Sequence, residues 1–85
     1  MRFSHAAPIF EPDFGPLIAV VGEEEAKKYT HMAGYELEDG TVVHVYQNSD
    51  TREYLNLSKD GRAWRYNGSG YRRADRDACI LAAAV

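Results

Sequence analysis

Cysteine, proline, long apolar runs and positive charge are all scarce in this 85-residue chain. A single cysteine, Cys79, allows no intramolecular disulfide, which excludes a stapled secreted mini-protein. The longest apolar stretches, Leu17 to Val21 and Ala78 to Val85, fall far short of the roughly 18 residues of a membrane span. The first residues lack the apolar core of a signal peptide, so a cytoplasmic location with no membrane partner is expected, and the sequons at Asn56 and Asn67 are expected to be unused. The opening Met and the lack of any tag-like residues suggest a complete small gene product. The formal charge of −3 and a pI near 5.5 argue against a general binder of nucleic acid.

The chemistry of a reaction centre is equally sparse. No Gly-x-Ser-x-Gly, phosphate-binding loop or dinucleotide fingerprint occurs. His5, His31, His44 and Cys79 are scattered, without the spacings of a metal site. His44 reads as a hydrogen-bonded core histidine and Cys79 as a small core residue. No catalytic, cofactor or metal-binding residue is assigned, and an enzyme is not expected.

What is present is enough for one domain over residues 1–85 with a thin core. All three prolines (Pro8, Pro12, Pro16) lie in residues 1–16, predicting an irregular arm. The arm carries Phe3, Ile9, Phe10 and Phe14, which favours its lying over the core or being held for a partner. Leu17 to Val21, short and β-branched, reads as an extra strand. Glu23 to Ala33 reads as a helix, with three acids in its first turn, Glu23/Lys27 and Glu24/Lys28 pairs, and Gly34 following its end. A strand running from Tyr29 into Leu37 is the competing reading.

Beyond Tyr35 the apolar period becomes two, and Asp39-Gly40 and Asp60-Gly61 mark hairpins. The resulting fold class is α+β: a four-stranded antiparallel meander over 35–38, 41–48, 52–58 and 62–67, with the helix near 23–33 and a C-terminal helix near 75–84 packed on one face. Two-residue turns place Leu37–Val42–Leu57–Trp64 and Tyr35–His44–Leu55–Tyr66 in two buried rows, opposite a mostly polar face. Asn67 to Gly70 reads as a flexible break. Asp75 caps the last helix, whose stripe Ala74, Ala78, Leu81 and Val85 is expected to meet the sheet.

Charge is divided along the chain. Residues 1–50 hold three bases against nine acids, whereas residues 51–85 hold seven bases against four. With Trp64 placed inside, the exterior suits contact with a protein. The expected role is a stand-alone, non-enzymatic protein-binding module: an inhibitor or antagonist of the phage-encoded anti-defence, immunity or antitoxin kind. Its partner would be a larger protein or complex with a basic, nucleic-acid-binding surface. The acids Glu23, Glu24, Glu25, Glu36, Glu38 and Asp39 would steer, and Tyr29, Tyr46 and Tyr54 would anchor. One alternative is nucleic-acid binding through Arg62, Arg65, Arg72, Arg73 and Arg76. A small nuclease-type enzyme is the second alternative, and an edge strand offers a route to a homodimer.

Overall fold

The computed structural model describes residues 7–9 and 11–85. Its elements are β1 (Ala7–Ile9), α1 (Gly15–Val21), α2 (Glu23–Ala26), β2 (Tyr29–Glu36), β3 (Val42–Asn48), β4 (Tyr54–Ser58), β5 (Ala63–Tyr66), β6 (Tyr71–Ala74) and α3 (Arg76–Ala84). Strands β2 to β6 form an antiparallel meander, and β1 pairs with β2 at its outer edge. The helices pack on one face, so the α+β meander expected from the sequence is present. Residues 7–9 of the arm are a strand rather than irregular chain; Phe3, His5 and Phe10 lie outside the described residues.

Leu17 to Val21 belongs to a helix, not a strand. Pro16 sits in the first turn, where its fixed φ suits a helix and its missing N–H costs nothing. Leu17 is fully buried, and Val20 and Val21 pack beside it at helical spacing while Ile18 faces out. A run of five apolar residues does not distinguish the two periods.

The helix predicted over 23–33 lasts a single turn. The Lys28 N–H closes on Glu25, and the Lys28 carbonyl then accepts from the Ser49 N–H at 2.8 Å. From Tyr29 the chain is strand, because Tyr29, Thr30 and His31 gain cross-strand partners in Asn48, Gln47 and Tyr46. The exposed ion pairs are therefore Glu24–Lys27 and Glu25–Lys28, one residue tighter than predicted. Gly34 lies within β2, opposite His44.

Register is the main departure. Both Asp-Gly turns are three-residue loops rather than two. The Leu37 N–H donates to the Thr41 carbonyl at 2.8 Å, and the Ser58 N–H donates to that of Arg62 at 3.0 Å. Gly40 and Gly61 take the positive φ values, 88° and 82°, of the bulge that ends such a loop. Each extra residue shifts the pairing by one: Tyr35 meets Val43, and Trp64 meets Asn56. The two predicted rows are thus divided between the faces. The inner face carries Tyr46, Leu55, Leu57 and Ala63 against Leu17, Cys79 and Ala83 of the helices. The outer face carries Leu37, Val43, Trp64 and Tyr71, flanked by Tyr35 and Val45.

Two further elements differ. Asn67 to Gly70 is a tight turn, with Gly68 at φ 93° and the Asn67 Oδ1 accepting from the Ser69 and Gly70 amides; it creates β6. Asp75 caps α3 as expected, accepting from the Ala78 N–H at 3.0 Å. The helix nevertheless buries Cys79 and Ala83, leaving Leu81 and Val85 exposed. Small residues at that i,i+4 pair let the helix lie close to the sheet, and the Thr51 hydroxyl fastens its end by donating to the Ala83 carbonyl at 2.7 Å.

Candidate binding site

The three-residue loop between β4 and β5 positions the most distinctive surface. These strands pair at Asn56↔Trp64 and Leu57↔Ala63, and the pairing stops short of Tyr54. Beside this end lies a cleft of about 600 Å³, within the ~300–1,000 Å³ usual for ligand pockets. Tyr35, Tyr54, Trp64, Tyr66 and Tyr71 supply its aromatic wall. Cys79, Ala82 and Ala83 of α3 border it on the helix side, and Glu53 and Arg65 contribute one charge of each sign.

The aromatic residues fall into two groups. Trp64 is 6% exposed, and its indole Nε1 donates to the Ser58 Oγ at 2.9 Å. Tyr71 is also buried, with Tyr35 and Tyr66 rings 6.1 and 5.4 Å away. Burial pushes the Tyr71 phenol up to about 12. These rings hold the outer face together. Tyr54 and Tyr66 are nevertheless 54% and 48% exposed at the mouth of the cleft, Tyr66 while packing on Tyr71 and donating its hydroxyl to the Gly68 carbonyl at 3.0 Å. Asn56, opposite Trp64 in the register, also lines the cleft, and its Nδ2 donates to the Trp64 carbonyl at 3.0 Å. Its Oδ1 is sealed from solvent without a hydrogen-bond partner. An acceptor left in that state costs about 1–3 kcal/mol.

Of the proposed anchors only Tyr54 is available. Tyr29 and Tyr46 are 6% and 0% exposed, because the even positions of β3 and the start of β2 face the helices. The Tyr46 hydroxyl instead donates to the Asp13 carbonyl at 2.6 Å, and burial raises its pKa. The predicted acids are exposed but do not form one patch. Glu23, Glu24 and Glu25 precede β2, whereas Glu36, Glu38 and Asp39 lie at its far end, some 23 Å away at ~3.3 Å per residue. Asp39 also shares a hollow with Arg62, Arg72 and Arg73. The Thr41 N–H and hydroxyl hold its carboxyl below the usual carboxylate range, with Arg62 adding to the effect.

The arginines are similarly dispersed. Arg62 and Arg76 have neighbouring carboxylates, Asp60 at 3.1 Å and Asp77 at 3.9 Å. Arg65 and Arg72 stand directly opposite each other across β5 and β6. A like-charged cross-strand pair is destabilising unless an anion joins it. Arg72 and Arg73 also place charge on edge strand β6, which discourages strand-to-strand association there.

A second cluster lies on the inner face. The register shift between His31 and Ala33 turns His31 inward, where its Nε2 lies 2.9 Å from the His44 Nδ1. His44 is 2% exposed, and its Nε2 lies 3.9 Å from the Asp13 carboxylate. Burial pushes its imidazole below the ordinary pKa, His31 and Lys59 reinforcing the effect and Asp13 opposing it. Phe14 packs on the His31 and Tyr46 rings, so this cluster fastens residues 13 and 14 to the sheet. Among the described residues, no group of three or more His, Cys, Asp or Glu side chains is placed to hold a metal.

The two-residue turns place Trp64, Tyr66 and Tyr35 together in the buried rows and leave Val43 and Asn56 on the opposite face. One more residue in each Asp-Gly loop sets Val43 and Asn56 beside those three. No protein-family model, curated protein or solved structure matches this chain.

Proposed function

We propose that this chain is a small non-enzymatic protein-binding module acting in the cytoplasm. It would occupy a surface of a larger protein or complex, as an inhibitor or antagonist of the anti-defence, immunity or antitoxin kind does. The observation that carries this reading is the cleft between β4 and β5, with Tyr54 and Tyr66 exposed at its mouth while the deeper aromatic residues are fixed. Tyrosines offer large amphipathic contact area at low entropic cost. The separated acidic clusters would assist by steering toward a basic partner, not by forming the contact.

The test is a photo-crosslinking residue at position 54, expressed in cells of the native host. A single predominant protein adduct is expected. Adducts to nucleic acid, or none while the chain remains folded, would overturn the reading. Nucleic-acid binding is favoured by one specific observation, the opposed Arg65 and Arg72. It requires oligonucleotide binding that falls steeply with salt.

A further inference from the structure

We infer that residues 11–14, which lead into α1, form an acid-sensitive strap: the His31–His44 pair holds it closed while only one of the two rings is protonated, and a second proton opens it. This goes beyond the protein-binding reading and does not depend on it.

The fastening is local. Upstream, β1 pairs with β2, and downstream Leu17 of α1 is fully buried, so main-chain pairing and apolar burial anchor the chain on either side. Residues 13 and 14 are held differently. The Asp13 carbonyl accepts from the Tyr46 hydroxyl, and the Phe14 ring lies 6.1 Å from that of His31 and 5.9 Å from that of Tyr46. His31 reaches these rings through the register shift at Met32, the kind of irregularity that re-aims a side chain.

The pair sets the proton count. A neutral imidazole has one N–H and one acceptor nitrogen, whereas a protonated ring has two donors and no acceptor. The 2.9 Å contact between the His31 Nε2 and the His44 Nδ1 needs one of each. One proton added to His44 satisfies that need, and its Nε2 then turns an N–H on the Asp13 carboxylate 3.9 Å away. Protonating His31 as well sets two N–H groups and two positive charges against each other at 2.9 Å. His44 is 2% exposed, so water does not screen them. Relief comes when half-buried His31 turns to solvent, and Phe14 loses the ring it packs on.

The surrounding charges do not cancel this conflict. Among the described residues, Asp13 favours the added protons, but Lys59, in the loop after β4, shares that carboxylate at 3.9 Å and opposes them. Tyr46 on β3 stays neutral because burial raises its pKa, and β1, α1 and β4 carry no charged residue.

The test follows nuclear Overhauser contacts between the Phe14 and Tyr46 rings, with the imidazole ¹⁵N shifts of both histidines, from about pH 7.5 to about pH 4.5. The ring contacts are expected to vanish below the ordinary histidine value of about 6.5, as the second ring takes its proton, while the β5 and β6 amides keep their native shifts. His31→Gln supplies a donor and an acceptor without gaining charge, so the contacts should persist at least about one pH unit lower. Tyr46→Phe touches neither histidine but loses the bond to Asp13, so the strap should open at higher pH. Ring contacts that survive double protonation, or an opening that coincides with loss of the native β5 and β6 shifts, would overturn the inference. So would an opening pH left unchanged by either substitution.

Discussion

The two faces of one sheet put similar residues to different uses. On the inner face Leu55, Leu57 and Tyr46 are closed over by helices, and the polar groups there are tied to the N-terminal segment. On the outer face a Trp and several Tyr residues pack on one another, with no helix over them among the described residues, and β4–β5 pairing ends beside them. Lining the cleft therefore does not by itself separate the aromatic residues that hold the sheet from those exposed for contact. Trp64 and Tyr54 line the same cleft, yet one is 6% and the other 54% exposed.

Substitutions offer the sharpest way to break this comparison. Leu57→Ala removes a fully buried inner side chain and should cost about 2–5 kcal/mol in urea unfolding. Tyr54→Ala at the mouth should change stability by no more than about 0.5 kcal/mol. Comparable losses at both would erase the distinction. Trp64→Phe keeps an aromatic ring but loses the indole's second ring and the bond to Ser58, and should cost at least about 1–2 kcal/mol, the same unfolding measurement deciding it. Asp75→Ala should cost about 1 kcal/mol through loss of the α3 cap.

Each face also carries buried groups that tie stability to pH. The folded His44 has a lowered pKa, so the unfolded chain binds the proton more readily. That contribution to stability is fully present above the ordinary histidine pKa of about 6.5 and is lost as pH falls toward the lower folded value. His44→Gln should flatten the acid limb of a stability-against-pH curve; an unchanged limb would contradict the assignment. On the outer face Tyr71 has its pKa raised to about 12, so its contribution is complete below the ordinary tyrosine value and is lost as pH rises through 12. Absorbance titration should show a late tyrosine step that weakens in Tyr71→Phe; an unchanged late step would contradict the assignment.

Much of the architecture was legible in the sequence. Alternation from Tyr35 located the strands, and Asp75 located the start of α3. Facing was not legible, because Asp-Gly serves both as a two-residue turn and as the end of a three-residue one, and a single residue exchanges the faces. Glu38-Asp39-Gly40 and Lys59-Asp60-Gly61 both take the longer form. The shift at Met32 that turns His31 toward His44 leaves no mark on the apolar pattern. Residue type alone is enough to propose Tyr54 and Arg65 as contact residues. Asn56 acquires meaning only once β4 and β5 are seen to part.

Hydrogen exchange of the chain alone and in complex with the protein captured from position 54 tests the binding face most directly. Protection should increase over residues 53–56 and 64–66 while the amides of 23–26 and 36–39 stay unchanged. Protection confined to those acidic segments, with the cleft exchanging as it does in the isolated chain, would contradict the account.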